Sequence, residues 1–226
     1  MKVKAKKLLI TGTLFLSAFA VWTLLIKTLD VQSVGVNGTD IGFAVLNTRF
    51  HWLTGVNMSL YTVTDWLGLV PLAACAFFGA VGFVQLVKRK SLSRVDYAIL
   101  VSGVYYVIVL LCYLAFEMIP INYRPVLISG LAEASYPSST TLLVLCVMPS
   151  FAFLCNRRLK SKRIVRAINI FTLLFSALMV AGRLISGVHW LSDIIGSILL
   201  SAGLFALYKS AVAFNQNKEN SAYGVQ

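Results

Sequence analysis

Six apolar segments make up more than half of the chain and limit what it can fold into more than any other feature. They cover residues 8–28, 66–87, 96–116, 139–155, 164–181 and 190–212. A helix needs about 20 apolar residues to cross a bilayer core of about 30 Å. A mean hydropathy of +0.82 with only 12% charged residues excludes a soluble domain. We therefore predict an all-α fold, a polytopic bundle of six transmembrane helices. The fourth and fifth segments are short, so we expect them to pack inside the bundle or to thin the membrane.

Lysine and arginine are distributed unevenly between the two sets of connections. All but four of the 20 basic residues lie in or beside the termini and the second and fourth connections; the exceptions are Lys27, Arg49, Arg124 and Arg183. Short cytoplasmic loops carry an excess of Lys and Arg. We therefore expect a multi-pass cell-membrane protein with both termini in the cytoplasm. This orientation accounts for the net charge of +12, and no nucleic-acid binding is expected, because the charge is spread over every inner loop without an aromatic stacking platform.

Two further features concern the tail and the cysteines. Residues 213–226 are polar and are predicted to form a disordered cytoplasmic tail. The four cysteines fall inside predicted spans, at spacings that suit neither a disulfide framework nor a zinc site. We expect them to be packing residues and expect neither a metal nor another cofactor.

An arginine, a histidine and an aspartate lie close together between the last two spans. Ionisable groups beside membrane segments are costly and are usually functional. If the sixth helix begins near Trp190, then His189 and Asp193 lie on one face, and the carboxylate can accept the proton of one ring nitrogen. That contact would fix the tautomer and leave the other nitrogen free to react. Arg183 can fold back over the ring and present its planar fork to a phosphate.

The loop before the fourth span contains a second set of candidates. Pro137 is followed by small hydroxyl residues, which is typical of the start of a helix. Because a helix N-terminus binds anions, Ser138, Ser139 and Thr140 are candidate phosphate contacts. The alternative is that they only cap the fourth helix.

Hydropathy and loop charge place four of these residues on the same outer face: Arg124, Ser138, Arg183 and His189. Two arginines, a hydroxyl-lined helix start and an oriented imidazole suit a tetrahedral anion. The chemistry indicated is phosphoryl transfer with histidine as the nucleophile.

These motifs resemble those of the type-2 phosphatidic acid phosphatase family, the membrane branch of the superfamily that includes vanadium haloperoxidases. The family pattern is Lys-x6-Arg-Pro, then Pro-Ser-Gly-His, then Ser-Arg-x5-His-x3-Asp. The sequence matches the first part at Arg124-Pro125, the second at Pro137-Ser138 and the third at Arg183, His189 and Asp193. The resemblance covers the whole six-span layout, and the third part is its most specific.

Four positions depart from the family pattern. Glu117 stands at the lysine position, Ser139 at the glycine, Thr140 at the second histidine and Gly182 at the serine. Glu117 would repel phosphate if its side chain pointed inward.

The resemblance implies a role for each matching residue. His189 attacks phosphorus, Asp193 orients it, and Arg124, Arg183 and Ser138 hold the phosphoryl oxygens. It also implies a phosphohistidine intermediate that water then cleaves, without a metal, and a lipid phosphate in the membrane as the substrate.

The departure at Thr140 bears on the leaving group. The family's histidine at that position protonates the leaving group, and a threonine hydroxyl cannot do so at neutral pH. A phosphate monoester, with a second pKa of about 6, leaves without much help, whereas general acid catalysis is typically worth about 10²–10⁴-fold. We therefore favour a lipid diphosphate such as undecaprenyl diphosphate, cleaved on the outer face. Glu133, Tyr136 and His51 are other possible acids, but no spacing supports them.

Two other functions are compatible with the sequence. A degenerate family member would bind a phospholipid head group or regulate a partner without turnover. The joint presence of Arg183, His189 and Asp193 argues against it, since a binding pocket needs no oriented nucleophile. A transporter is less favoured, because its polar positions normally lie near mid-membrane and here they gather at the outer mouth.

Overall fold

The protein is an all-helical bundle in a computed structural model that describes the backbone of residues 2–222 and the side chains of residues 3–215. Its α-helices in this part of the chain are α1 (Lys2–Thr28), α2 (Ala44–Thr54), α3 (Met58–Leu67), α4 (Leu69–Arg89), α5 (Tyr97–Met118), α6 (Ser139–Arg158), α7 (Lys162–Ile185) and α8 (Leu191–Ala222). By length and composition they provide six candidate membrane spans, with α3 and α4 forming one of them together. The predicted six-helix membrane bundle is confirmed.

The second span begins earlier than the sequence analysis places it. The predicted segment 66–87 corresponds to α3 and α4, which meet at Gly68. Helix α3 starts at Met58 because Asn57 caps it, its side-chain oxygen accepting the N–H of Leu60 at 2.9 Å. The predicted outer segment 29–65 is therefore helical over its last part, and this places the side chains of α3 next to α7.

The last helix is longer than predicted. Helix α8 continues to Ala222, so the backbone of residues 213–222 is helical, whereas the polar composition predicts disorder from residue 213. Extending an existing helix fixes one residue for each hydrogen bond gained, so a helix nucleated in an apolar span can continue into polar sequence. Residues 223–226 of the predicted tail lie outside the described residues.

Helices α6 and α8 occupy the centre of the bundle. More than half of their most apolar stretches is buried, against about a fifth or less for the other spans. Helix α1 packs closely along α8, because Gly12 and Gly203 present no side chain there. A Cβ at Gly12 would lie 2.7 Å from Leu207, and one at Gly203 would lie 2.7 Å from Leu16. Small residues permit this kind of approach between membrane helices.

The two short predicted spans behave differently from each other. Helix α6 is buried inside the bundle, as expected. Helix α7 runs from Lys162 to Ile185, beyond the predicted segment 164–181, and only 11% of its apolar stretch is buried. Basic side chains at its start can extend towards the interface, and Arg183 near its end is paired inside the protein, so both ends tolerate charge.

Three connections meet at one end of the bundle, opposite the end that carries most of the basic residues. The loop between α5 and α6 folds back on itself, with the N–H of Arg124 donating to the carbonyl of Glu133 at 3.0 Å. The α7–α8 connection rests on residues just before α3, because the N–H of Asn57 donates to the carbonyl of Ser186 at 2.9 Å. Gly187 has a positive φ of 69°, and a Cβ there would lie 1.8 Å from the carbonyl oxygen of Gly55. This contact fixes the path of the chain just before His189.

Candidate active site

His189 lies in the connection between α7 and α8 and is almost completely buried. Its Nδ1 is 3.2 Å from the carbonyl oxygen of Ser135, and its Nε2 is 3.3 Å from Nη2 of Arg183. A carbonyl oxygen can only accept, so Nδ1 carries the proton and Nε2 carries the lone pair. The guanidinium of Arg183 then donates to Nε2. The ring is thus held in the tautomer that a nucleophilic Nε2 requires.

The local charges favour the neutral form of this imidazole. Burial, together with the positive charges of Arg124 and Arg183, holds the pKa of His189 well below its usual value of 6.5. Only a neutral imidazole has a lone pair for attack, so at neutral pH the ring is in its reactive form.

Asp193 lies close to the imidazole but does not form the hydrogen bond that the sequence predicts. Its Oδ2 is 3.8 Å from Nδ1 of His189, beyond hydrogen-bonding distance. The same oxygen accepts the N–H of Trp190 at 2.9 Å, and Oδ1 accepts from the side chain of Asn122 at 3.4 Å. The difference arises because α8 begins only at Leu191. Asp193 is its third residue and caps the N-terminus as the acidic partner of a capping box does.

The two predicted arginines approach the site from different elements. Arg183, from the last turn of α7, is 1% exposed. Arg124, from the α5–α6 loop, is also buried, and its Nε lies 3.1 Å from Oε2 of Glu133. Nη1 of Arg124 and both Nε and Nη1 of Arg183 have no hydrogen-bond partner among the described residues. Buried donors are normally satisfied, so these groups are available to an anion.

Tyr61 is a site residue that the sequence analysis misses. The guanidinium of Arg183 lies 4.8 Å from the centre of its ring, and that of Arg124 lies 5.7 Å from it. Cations are attracted to the face of an aromatic ring, so Tyr61 helps to hold two like charges near each other. No sequence signal shows its approach to Arg183, because this contact between α3 and α7 exists only in the folded bundle.

The start of α6 differs in detail from the prediction. Ser138 precedes the helix, but its side chain makes no capping bond to the backbone; its hydroxyl donates to Oγ1 of Thr141 at 3.0 Å. Its N–H lies 3.4 Å from the carbonyl oxygen of Asp193, so this residue joins the starts of α6 and α8. Ser139 and Thr140 form the first turn of α6 and line a cavity of about 520 Å³ that extends between α4, α5 and α6.

Three other ionisable candidates contact groups other than the imidazole. The side chain of Glu117 is exposed and lines a separate small gap beside Ser135. The ring of His51 packs 5.5 Å from that of Trp190, and burial lowers its pKa. Tyr136 donates to or accepts from the hydroxyl of Thr23 at 2.7 Å, and burial raises its pKa above the usual value of 10. In the described part of the chain, none of the three contacts Arg183 or Nε2 of His189.

Side chains of α1 and α2 form hydrogen bonds with Ser192 at the start of α8. The side chain of Asn47 accepts the N–H of Ser192 at 3.1 Å and donates to the Ser192 hydroxyl at 2.9 Å. The indole of Trp22 donates to the carbonyl of Ser192 at 3.1 Å. The position of the imidazole therefore depends on contacts from α1, α2 and the α5–α6 loop.

The fold and this site together define a polytopic membrane protein with a buried imidazole between two buried arginines and the start of a central helix. The chain belongs to the PAP2 superfamily, whose family profile matches residues 11–217. This confirms the resemblance found in the motifs.

The fold has a counterpart among solved structures. It is similar to a structure described as the first transmembrane PAP2 type phosphatidylglycerolphosphate phosphatase from Bacillus subtilis, with a TM-score of 0.61 and 18% sequence identity. The match covers 92% of this chain and 96% of that chain. At this identity the likeness shows the fold alone. No curated protein matches the sequence.

Proposed function

We propose that this protein is a lipid phosphatase that removes the terminal phosphate of a lipid diphosphate, such as undecaprenyl diphosphate, on the extracytoplasmic side of the membrane. The observation that carries this proposal is the state of His189. Its Nδ1–H is bound to a backbone carbonyl, and its Nε2 lone pair faces the guanidinium of Arg183. A site that only bound phosphate would need the arginine but not this tautomer.

In the first step, Nε2 of His189 attacks the terminal phosphorus and the bridging P–O bond breaks. The electron pair of that bond leaves with the lipid monophosphate. The unpartnered donors of Arg124 and Arg183 bind the equatorial oxygens, where negative charge is held in the transition state. The free backbone N–H groups at the start of α6, from Ser139 and Thr140, can contribute to the same anion.

Ser138 and Asp193 contribute to this mechanism in a different way from the one that the sequence predicts. Ser138 can reach a phosphoryl oxygen only if its hydroxyl turns away from Thr141. Asp193 orients the imidazole indirectly, because it holds the N–H of Trp190, the residue after His189. In the phosphohistidine the ring carries a positive charge, and the carboxylate 3.8 Å away stabilises that charge.

The nature of the leaving group supports a diphosphate as the substrate. No acidic side chain among the described residues contacts Nε2 of His189, and Thr140 stands where the family's acid histidine is expected. Loss of general acid assistance, typically worth about 10²–10⁴-fold, slows departure of an alkoxide far more than departure of a phosphate monoester. The proposed outer location is supported by loop charge, since the site lies at the end opposite the basic connections.

Phosphate release by the purified protein in detergent tests the proposal. The substrates are a polyprenyl diphosphate, the matching monophosphate and phosphatidic acid. We expect the diphosphate to be cleaved fastest and His189→Ala to abolish release. His51→Ala removes the chain's other histidine and serves as the matched control, which should retain activity.

The outcomes separate the possible functions. Faster cleavage of the monophosphate would refute the diphosphate preference. Absence of release from all three lipids, with lipid binding that Arg183→Ala abolishes, would support the degenerate binder instead. Accessibility of a cysteine introduced at Ser129 to a membrane-impermeant reagent in intact cells tests the proposed orientation, because this exposed residue lies in the α5–α6 loop.

A further inference from the structure

Asp65 places a carboxylate on the other side of the Arg183 guanidinium from His189. It lies in the last turn of α3, and its Oδ1 is 3.6 Å from Nη1 of Arg183. Its side chain is 59% exposed. The separation is longer than a hydrogen bond, and Nη1 has no hydrogen-bond partner among the described residues. The two groups are close but loosely joined, so a small molecule can interact with both.

Asp65 also lines the cavity of about 520 Å³ that contains Ser139 and Thr140. Thr140 is the position at which the motif pattern has its second histidine. The carboxylate thus faces the same space as the residue that replaces the family's acid. The Asp65 carboxylate can accept a proton, whereas Thr140, at the position of the family's histidine, provides no such group.

The other carboxylates near the site are placed less favourably. Asp193 is fully buried and bound to the N–H of Trp190. Glu133 lies on Nε of Arg124, away from the cavity, and Glu117 borders a different gap. Of these groups, Asp65 is the one that contacts Arg183 and also faces open space.

The chemistry requires a base once the acid histidine is gone. By microscopic reversibility, a group that gives a proton to the leaving group in the first step takes one from water in the second. A diphosphate makes the first duty dispensable, because its leaving group needs little acid. Water is a poor nucleophile with every substrate, so the second duty remains. The carboxylate of Asp65, beside Arg183, is a group that can accept that proton.

We propose that Asp65 is the general base that activates water for cleavage of the phosphohistidine, which rests on the function proposed above. Water attacks phosphorus as its proton passes to the Asp65 carboxylate, and the bond between phosphorus and Nε2 of His189 breaks. The electron pair of that bond returns to Nε2, which leaves a neutral imidazole still protonated on Nδ1. Inorganic phosphate departs, and Asp65 passes its proton to a water molecule, which restores the carboxylate.

Asp65→Asn separates the two steps of the reaction. With a polyprenyl diphosphate labelled in its terminal phosphate, this variant should release about one equivalent of lipid monophosphate in a burst. It should then accumulate acid-labile phosphohistidine on His189, while steady-state phosphate release falls by about 10²–10⁴-fold. The matched variant Glu133→Gln removes the carboxylate beside the other arginine. Whatever its effect on KM, it should not accumulate phosphohistidine.

The alternatives give different results. Normal turnover by Asp65→Asn would overturn the proposal. So would a slow burst without phosphohistidine, since this result would mean that Asp65 only positions Arg183. If the wild-type protein released no phosphate, or if His189→Ala still released it, the proposed function itself would fail. An active wild-type enzyme whose Asp65→Asn variant shows no trapped intermediate refutes only the role of Asp65.

Discussion

Replacing Arg183 tests the electrostatic basis of the site without requiring turnover. Nη2 of this arginine lies 3.3 Å from Nε2 of His189. With an effective dielectric constant of about 20, two unit charges at this separation repel by about 5 kcal/mol. That figure is an upper bound, because the guanidinium charge is delocalised and Asp65 offsets part of it. The repulsion acts only on the protonated imidazole, so it favours the neutral ring.

Arg183→Gln should raise the pKa of His189. In the wild-type protein, burial and both arginines keep the pKa of His189 well below 6.5. In Arg183→Gln, one of these causes is removed, so the pKa should rise towards 6.5 while burial and Arg124 still hold it below that value. Because attack requires the neutral ring, kcat/KM of the wild-type enzyme should fall only as the pH drops well below 6.5.

NMR of protein labelled with ¹⁵N-histidine measures this titration in detergent. The chain has two histidines, so His51→Gln assigns both signals. Arg166→Gln is the matched control, because Arg166 lies on the same helix near its other end and is exposed. A wild-type His189 that titrates at or above 6.5 would refute the reasoning. So would a pKa that does not change in Arg183→Gln.

Four further predictions concern the parts that support the site. Tyr61→Ala should lower the free energy of unfolding in detergent by about 1–2 kcal/mol, because two cation–π contacts are lost. Tyr61→Leu should not restore this free energy, because leucine has no aromatic ring. Asp193→Ala should lower stability by about 1 kcal/mol through loss of the cap, and Asp193→Asn, which keeps an acceptor oxygen, should be less affected. Gly187→Ala should prevent correct docking of the His189 loop and abolish activity, whereas Gly79→Ala, where a Cβ meets no atom within 4 Å, should be tolerated. Thr140→His should raise monophosphate hydrolysis relative to diphosphate hydrolysis, by at most about 10²–10⁴-fold, because it restores an acid; an unchanged substrate ratio would contradict this.

The parts of the structure that could be predicted are those that depend on local sequence. Apolar length predicts the six spans, because a bilayer of fixed thickness selects helices of a given length. The spacing of Arg183, His189 and Asp193 identifies the family. The same spacing predicts a hydrogen bond between His189 and Asp193 for a helix that starts near Trp190. The helix begins at Leu191, Asp193 accepts the N–H of Trp190, and Nδ1 of the ring faces the carbonyl of Ser135 instead.

The parts that could not be predicted arise from contacts between distant segments. A backbone carbonyl such as that of Ser135 has no side-chain signature, and its alignment with His189 depends on how the α5–α6 loop folds. Tyr61 and Asp65 reach Arg183 because Asn57 starts α3 eight residues before the apolar segment begins. Hydropathy places both residues in a loop. A capping signal at Asn57 was present in the sequence and would have extended the helix over them.

The replacement at Thr140 and the position of Asp65 are best understood together. A histidine that protonates the leaving group also accepts a proton from water in the second step, so its loss removes two functions at once. A diphosphate substrate compensates for the first loss through its own leaving group, whereas the second requires a base from the protein. Asp65 is close enough to Arg183 to act on the same phosphoryl group. With this division, the rate of the first step depends on the leaving group of the substrate, and the rate of the second depends on a residue of α3. Monophosphates should therefore be limited by formation of the phosphohistidine, whereas for diphosphates Asp65→Asn should make its cleavage limiting.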